Sequence, residues 1–209
     1  MASSSSVSNL DRLVELARQG RQEALAQLLD ASRNYLMLLA RIQLDRRLQG
    51  KVAPSDVVQE TFLEACRAFP RFSGSTEQDW LAWLRRILVF RLTQTARRFL
   101  KARRRDVQME RQWQQEVDRS SARIEAMAGS FTTPSQKAIR REQAVLLADI
   151  LSQLPWQYRE VIILRHLQQL TFPEVAARLG QSEASVKKTW ARALAAVRRA
   201  LGGLSDERI

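Results

Sequence analysis

The chain has one cysteine, one histidine, seven glycines and five prolines in 209 residues. One cysteine allows no internal disulfide, and one cysteine with one histidine cannot build a Cys/His metal cluster. No metal site and no cofactor are expected. Scarce glycine and proline, with no alternating apolar and polar stretch, argue against strands and point to helices. No apolar run approaches the length of a membrane span. The start "MASSSSVSNLDRL" lacks a basic segment followed by an apolar run, so no signal peptide is expected. These absences point to a cytoplasmic chain without membrane contact. No carboxylate cluster has metal-site spacing and no nucleophile stands beside a base, so no catalytic residue is expected. Cys66 falls in an apolar helical pattern and is read as a buried thiol. His166 closes the run "EVIILRHL" and is read as a structural, helix-terminal residue.

What the chain does have is positive charge. Its 34 Lys and Arg against 22 Asp and Glu leave a formal charge of +12. That balance favours a polyanionic partner, nucleic acid or an anionic surface. The hydrophobic fraction of 45% is enough for a core. Apolar residues recur at helical spacing almost throughout. Leu10, Leu13, Val14 and Ala17 begin one helix, continued or restarted after Gly20. Tyr35, Leu36, Leu39 and Ile42 mark a second. Ser55 is expected to cap "DVVQETFLEACRAF", with Val58, Phe62, Ala65 and Phe69 as its buried face. A long, increasingly basic helix follows the loop "RFSGST". Residues 106–133 are polar and aperiodic, and read as a linker. Thr133, Pro134 and Gln136 form a second helix-start signature. The fold class is all-α: two small helical domains joined by a linker.

The stretch "LTFPEVAARLGQSEASVKKTWARAL" carries the first functional signal. Thr171 with Glu174 makes a capping box, Gly180 ends that helix in a left-handed turn, and Ser182 caps the next. Two short helices across such a turn form a helix-turn-helix. The second helix should pack inward through Val186, Trp190, Leu194 or Ala193, and Val197. That leaves Ser185, Lys187, Lys188, Ala191, Arg192 and Arg199 outward. Small residues permit close approach to a major groove, and Lys and Arg reach phosphates and guanine edges.

The middle of the chain carries two more signals. Asp56, Gln59 and Glu60 share an acidic and amide edge, unsuited to DNA but suited to a basic protein partner. Trp80, Trp83, Phe90 and Phe99 interleave with Arg85, Arg86, Arg91, Arg97 and Arg98, and "RRFLKARRR" has six basic residues in nine. Aromatic faces beside a cationic track are what single-stranded DNA binding needs. At least one of the two tryptophans is expected in the core.

"PSDVVQETFLEACRAFPRFSGST" with "WLAWLRRI" resembles region 2 of extracytoplasmic-function sigma factors of bacterial RNA polymerase. "LPWQYREVIILRHLQQLTFPEVAARLGQSEASVKKTWARALAAVRRAL" resembles their region 4. The resemblance implies a non-enzymatic transcription-initiation subunit. Residues 8–105 would form the region 2 domain, 106–133 the linker and 134–203 the helix-turn-helix domain. Asp56, Gln59 and Glu60 would dock on core polymerase. Phe72, Ser73, Gly74, Ser75 and Thr76 would make the pocket for a base flipped from the minus-10 element. Trp83, Arg86 and Phe90 would hold the melted strand. Phe90 stands where many members carry Asn, so it offers stacking in place of a hydrogen bond. Ser185, Lys187, Lys188, Ala191 and Arg192 would read the minus-35 duplex. Partners would be bacterial core polymerase and promoter DNA, with an anti-sigma factor as a regulator the family allows. A stand-alone helix-turn-helix regulator would leave the acidic edge and the Trp-rich helix without a role.

Overall fold

A computed structural model describes residues 9–47, 52–100, 107–131 and 142–206. The expected helix start at Thr133, Pro134 and Gln136 and the basic run 101–105 lie outside these residues, as does the side chain of Phe99. The described residues are helical and hold no strand. None of their helices is long and apolar enough to cross a membrane, and they hold no group of His, Cys, Asp and Glu placed to bind a metal.

The chain divides into two compact units, residues 1–118 and 119–209. The first contains α1 (Asn9–Arg18), α2 (Gln22–Arg47), α3 (Pro54–Ala68), a 3-10 turn (Phe69–Arg71) and α4 (Glu77–Leu100). Gly20, at φ 88°, separates α1 from α2. The second helix expected from Tyr35 onward is not separate: α2 runs unbroken for 26 residues. No glycine or proline interrupts it, and Leu28, Leu36, Leu39 and Ile42 keep one buried stripe. α2, α3 and α4 pack on one another, and α1 closes on α2 and α4.

The start of α3 also differs from expectation. Ala53 is the N-cap and Pro54 the first helical residue, so Ser55 lies inside the first turn. Val57, Val58, Thr61 and Ala65 are the buried face, while Phe62 and Phe69 are half-buried. Cys66 is exposed, not buried. The buried face keeps Val58 and Ala65 but takes Val57 and Thr61 in place of Phe62 and Phe69, and Cys66 lies outside it. Thr61 is tolerated there because its hydroxyl donates to the Val57 carbonyl at 2.7 Å.

α4 carries the centre of this unit. Trp80 is fully buried, and its indole N–H donates to Ser32 Oγ on α2 at 2.9 Å. Ser32 Oγ in turn donates to the Leu28 carbonyl at 2.8 Å. Phe69, Phe72 and Trp83 gather around Trp80 with ring centroids 5.0–6.4 Å apart. These separations are those of stacked and edge-to-face aromatic pairs.

The stretch expected to be an aperiodic linker contains α5 (Val107–Gly129). Trp113, Val117, Ile124, Met127 and Ala128 are buried along it, at helical steps. The stripe was hard to read because its middle is Ser120 and Ser121, two buried serines. The division between the units falls inside α5.

The second unit contains the end of α5, α6 (Glu142–Gln153), α7 (Trp156–Ile162), a π-turn (Ile163–Leu167), α8 (Phe172–Leu179) and α9 (Glu183–Asp206). Arg123 of α5 donates to the Leu167 carbonyl at 3.0 Å, satisfying a backbone group that the π-turn frees. α9 packs on α6, α7 and α8.

Ser32→Ala leaves the Trp80 indole N–H without its acceptor in a dry site. Urea unfolding of the full chain should show the first unit destabilised by ~1–3 kcal/mol. An unchanged transition would remove this hydrogen bond as a determinant of the fold.

Candidate nucleic-acid and polymerase interfaces

α8 and α9 build the helix-turn-helix as the sequence dictates. Thr171 Oγ1 accepts from the Glu174 N–H, and the Glu174 carboxylate accepts from the Thr171 N–H at 2.7 Å. The Thr171 N–H first, then its hydroxyl, hold the Glu174 carboxyl below its ordinary pKa. Gly180 takes φ 63°, ψ 35°, and the Gln181 N–H returns to the Ala176 carbonyl at 3.0 Å. A β-carbon would be strained at that φ, which is why glycine stands at the corner. Ser182 Oγ then accepts from the Ser185 N–H at 3.3 Å, opening α9.

Val186, Ala193 and Val197 of α9 are buried, while Trp190 and Leu194 are half-buried. Val186 joins Val161, Leu164, Val175 and Ala176 in one core, with Leu170, Phe172, Leu179 and Trp190 packed against it. Ser185, Lys187, Lys188, Ala191, Arg192 and Arg199 are all exposed. Of these, Lys187 is drawn toward α8. Its Nζ lies 2.6 Å from Glu183 and 5.6 Å from the Phe172 ring centre, facing back toward α8. The ion pair is exposed and contributes little to stability, but it points the ammonium group along the helix.

The loop after α3 is held from below. Asp79 of α4 accepts from the N–H groups of Ser75 and Thr76 at 3.1 and 3.2 Å and from the Thr76 hydroxyl at 2.9 Å. The Ser75 N–H first, then the Thr76 hydroxyl, lower the Asp79 carboxyl below its ordinary value. The Glu77 N–H donates to Asp11 Oδ1 of α1 at 2.5 Å. Ser73, Ser75 and Thr76 are exposed. Phe72 is half-buried, its ring 5.0 Å from Trp83 and 5.7 Å from Trp80. Phe72 and Trp83 therefore form the floor under the loop rather than free stacking faces. An open cleft of about 700 Å³ lies beside the loop, between Ser75 and Thr76 and the α1 residues Asn9, Arg12 and Glu15.

On the rest of α4, Phe90 is 41% exposed and Arg86 is exposed. The Arg91 guanidinium lies 5.5 Å from the Phe90 ring centre. The other arginines of the expected cationic track divide. Arg85 donates to the Tyr35 hydroxyl at 3.0 Å and stands 3.7 Å from Asp118. Arg91 pairs with Glu64 and lies 3.9 Å from Glu60. These two hold helices together; Arg86 and Arg98 remain on the surface.

The acidic edge of α3 divides as well. Asp56 and Gln59 are exposed, but Glu60 is half-buried between Arg91 and Arg98, which lies 3.6 Å away. Leu63, missed in the sequence, is 52% exposed on the same side. Asp56, Gln59 and Leu63 follow one another at helical steps of three and four. The signal was available: Leu63 is the apolar residue of α3 that fits neither buried register.

Comparison with known proteins matches residues 33–106 to sigma-70 region 2 and residues 144–197 to sigma-70 region 4. Together these cover more than half of the chain. The chain belongs to the extracytoplasmic-function sigma factors of the sigma-70 family. A similar protein is the probable RNA polymerase sigma factor RfaY of Xanthomonas campestris, 28% identical over 88% of this chain and 42% of its own length. The chain thus spans less than half of that relative. The sigma factor SigD of Mycobacterium tuberculosis is 29% identical over 88% of this chain and 80% of its own length. The structure of CnrH in complex with the cytosolic domain of CnrY is matched at 27% identity, over 93% of this chain and 99% of that one. Its TM-score is 0.36, too low to equate the two folds.

A β-carbon at Gly74 would lie 2.4 Å from the Asp79 Cβ and 2.5 Å from the Phe72 ring. Gly74→Ala must displace the Asp79 clamp or the aromatic floor. It should lower the stability of the first unit by ~1–3 kcal/mol in urea unfolding and change the tryptophan fluorescence. Wild-type stability and spectrum would show that the loop is looser than this packing.

Proposed function

We propose that the chain acts as a sigma factor, without chemistry of its own, bringing bacterial core RNA polymerase to promoters in the cytoplasm. The observation that carries this reading is the order of two sigma-70 regions on two helical units whose exposed faces differ in charge. α3 presents Asp56, Gln59 and Leu63, an acidic and apolar strip suited to a basic protein surface. α9 presents Lys188, Ala191 and Arg192, a face suited to duplex DNA. The roles follow this division. Asp56, Gln59 and Leu63 dock on core polymerase, with Glu60 contributing through the surface it shares with Arg98. The loop 72–76 and its cleft receive an unpaired base of the minus-10 element. Phe90 and Arg86 hold the melted strand beside it. Ser185, Lys187, Lys188, Ala191 and Arg192 read the minus-35 duplex. Residues 8–105 and 134–203 are the two functional domains, connected through 106–133, and an anti-sigma factor is a further partner proposed from family membership alone.

The energies suit this division of labour. Extracting a base costs a few kcal/mol, while stacking returns roughly 1–3 kcal/mol per base. A stand-alone repressor would use α9 but would leave Leu63 exposed on α3 without a function.

Two variants separate the surfaces. Lys188→Ala with Arg192→Ala should cost ~1–3 kcal/mol in promoter-duplex binding and reduce promoter-specific transcription, with core polymerase binding retained. Asp56→Ala with Leu63→Ala should weaken core polymerase binding by more than ~1 kcal/mol and leave duplex binding by the free chain unchanged. Equal loss of polymerase binding in both variants would refute the assignment.

A further inference from the structure

The chain's one histidine lies against the recognition helix. The Trp190 indole N–H of α9 donates to His166 Nε2 in the π-turn at 2.8 Å. The two rings are stacked, with centroids 6.0 Å apart and planes inclined by 15°. Phe172 of α8 meets the other part of Trp190 edge-on at 5.4 Å. Trp190 is therefore clamped between the π-turn and α8, and it lies one residue before Ala191 and two before Arg192, residues of the proposed DNA-reading face.

This contact has a condition. An imidazole accepts at Nε2 only when neutral, with its proton on Nδ1; the charged ring donates from both nitrogens and accepts at neither. The bond to the indole therefore requires the neutral form. The surroundings are cationic. Arg165 precedes His166 on the same turn and lies 5.0 Å from the Phe172 ring centre. Lys187 of α9 lies 5.6 Å from the same ring, and Arg123 of α5 donates to the carbonyl of neighbouring Leu167. Of the carboxylates on α8 and the start of α9, Glu174 is bound to Thr171 and Glu183 to Lys187. Burial first, and Arg165 second, lower the His166 pKa below its ordinary 6.5.

We propose that His166 is a positioning residue for DNA reading: its neutral Nε2 holds the Trp190 indole, sets the seat of α9 on α8 and the π-turn, and releases it on protonation. The proposal rests on the reading of α9 as the duplex-binding helix. The sign follows from the lowered value. The unfolded chain takes up the proton more readily, so the contact is complete above pH 6.5 and is lost as pH falls through the folded value.

The test follows the indole N–H resonance of Trp190 in the ¹⁵N-labelled full chain between about pH 8 and pH 5. In parallel, affinity is measured for a duplex enriched by this protein from a randomised library, at constant salt. The resonance should shift as His166 protonates, and wild-type affinity should fall about fivefold, the factor carried by one lost hydrogen bond. His166→Gln keeps an acceptor that cannot ionise, so its affinity should stay near the wild-type upper value across the range. An indole resonance that does not move, or a His166→Gln profile parallel to wild type, overturns the proposal. If no duplex is enriched at the upper pH while the resonance still follows His166, the DNA reading of α9 fails and the coupling itself stands.

Discussion

Burying an indole is costly unless its N–H finds an acceptor, and at the centre of the first unit the Trp80 N–H finds one on α2. Trp80 is fully enclosed, and Ser32 is the acceptor that allows it. That one bond ties α4 to α2 at a set height. With Trp80 fixed, Phe69, Phe72 and Trp83 have a ring to pack against, and the end of α3 is drawn onto α4. The loop 72–76 then leaves the aromatic floor with Gly74 pressed against Phe72 and Asp79, and Asp79 collects the N–H groups of Ser75 and Thr76. The exposed residues of the loop are thus presented by a core contact two elements away. The second unit repeats the device on a smaller scale, with Trp190 held by His166 beside the exposed face of α9.

The net charge of +12 overstates how much positive surface is free for a polyanion. Arg85 and Arg91 hold helices of the first unit together, and Arg123 satisfies a carbonyl of the π-turn. Lys187 is turned toward Glu183. Arg86, Lys188 and Arg192 remain outward. Exposed arginines also stand on α1, α2, α5 and α8, while the exposed edge of α3 carries Asp56, Gln59 and Leu63. Under the proposed function, such a non-basic patch lets a protein bind without competing with DNA.

The helix-turn-helix was legible in the sequence because each of its signals is local. The capping box, the left-handed glycine and the helical spacing of Val186, Ala193 and Val197 need no distant partner. The features missed were those decided by tertiary packing. The packing of α3 on α2 and α4 put Val57 and Thr61 inside and left Cys66 outside. α5 was obscured by Ser120 and Ser121, polar by composition yet buried. Glu60 read as part of an open acidic edge because its partners, Arg91 and Arg98, lie more than thirty positions along the chain. The contact between His166 and Trp190 joins residues 24 positions apart, which no periodicity discloses.

The central claim is that this chain gives core polymerase its choice of start site. The direct measurement is transcription by purified bacterial core RNA polymerase on genomic DNA from the protein's own source, with and without the full chain, mapping the 5′ ends of the transcripts. Discrete new start sites are expected, each preceded by a shared pair of upstream elements at a fixed spacing. An identical distribution of 5′ ends in both reactions would contradict it.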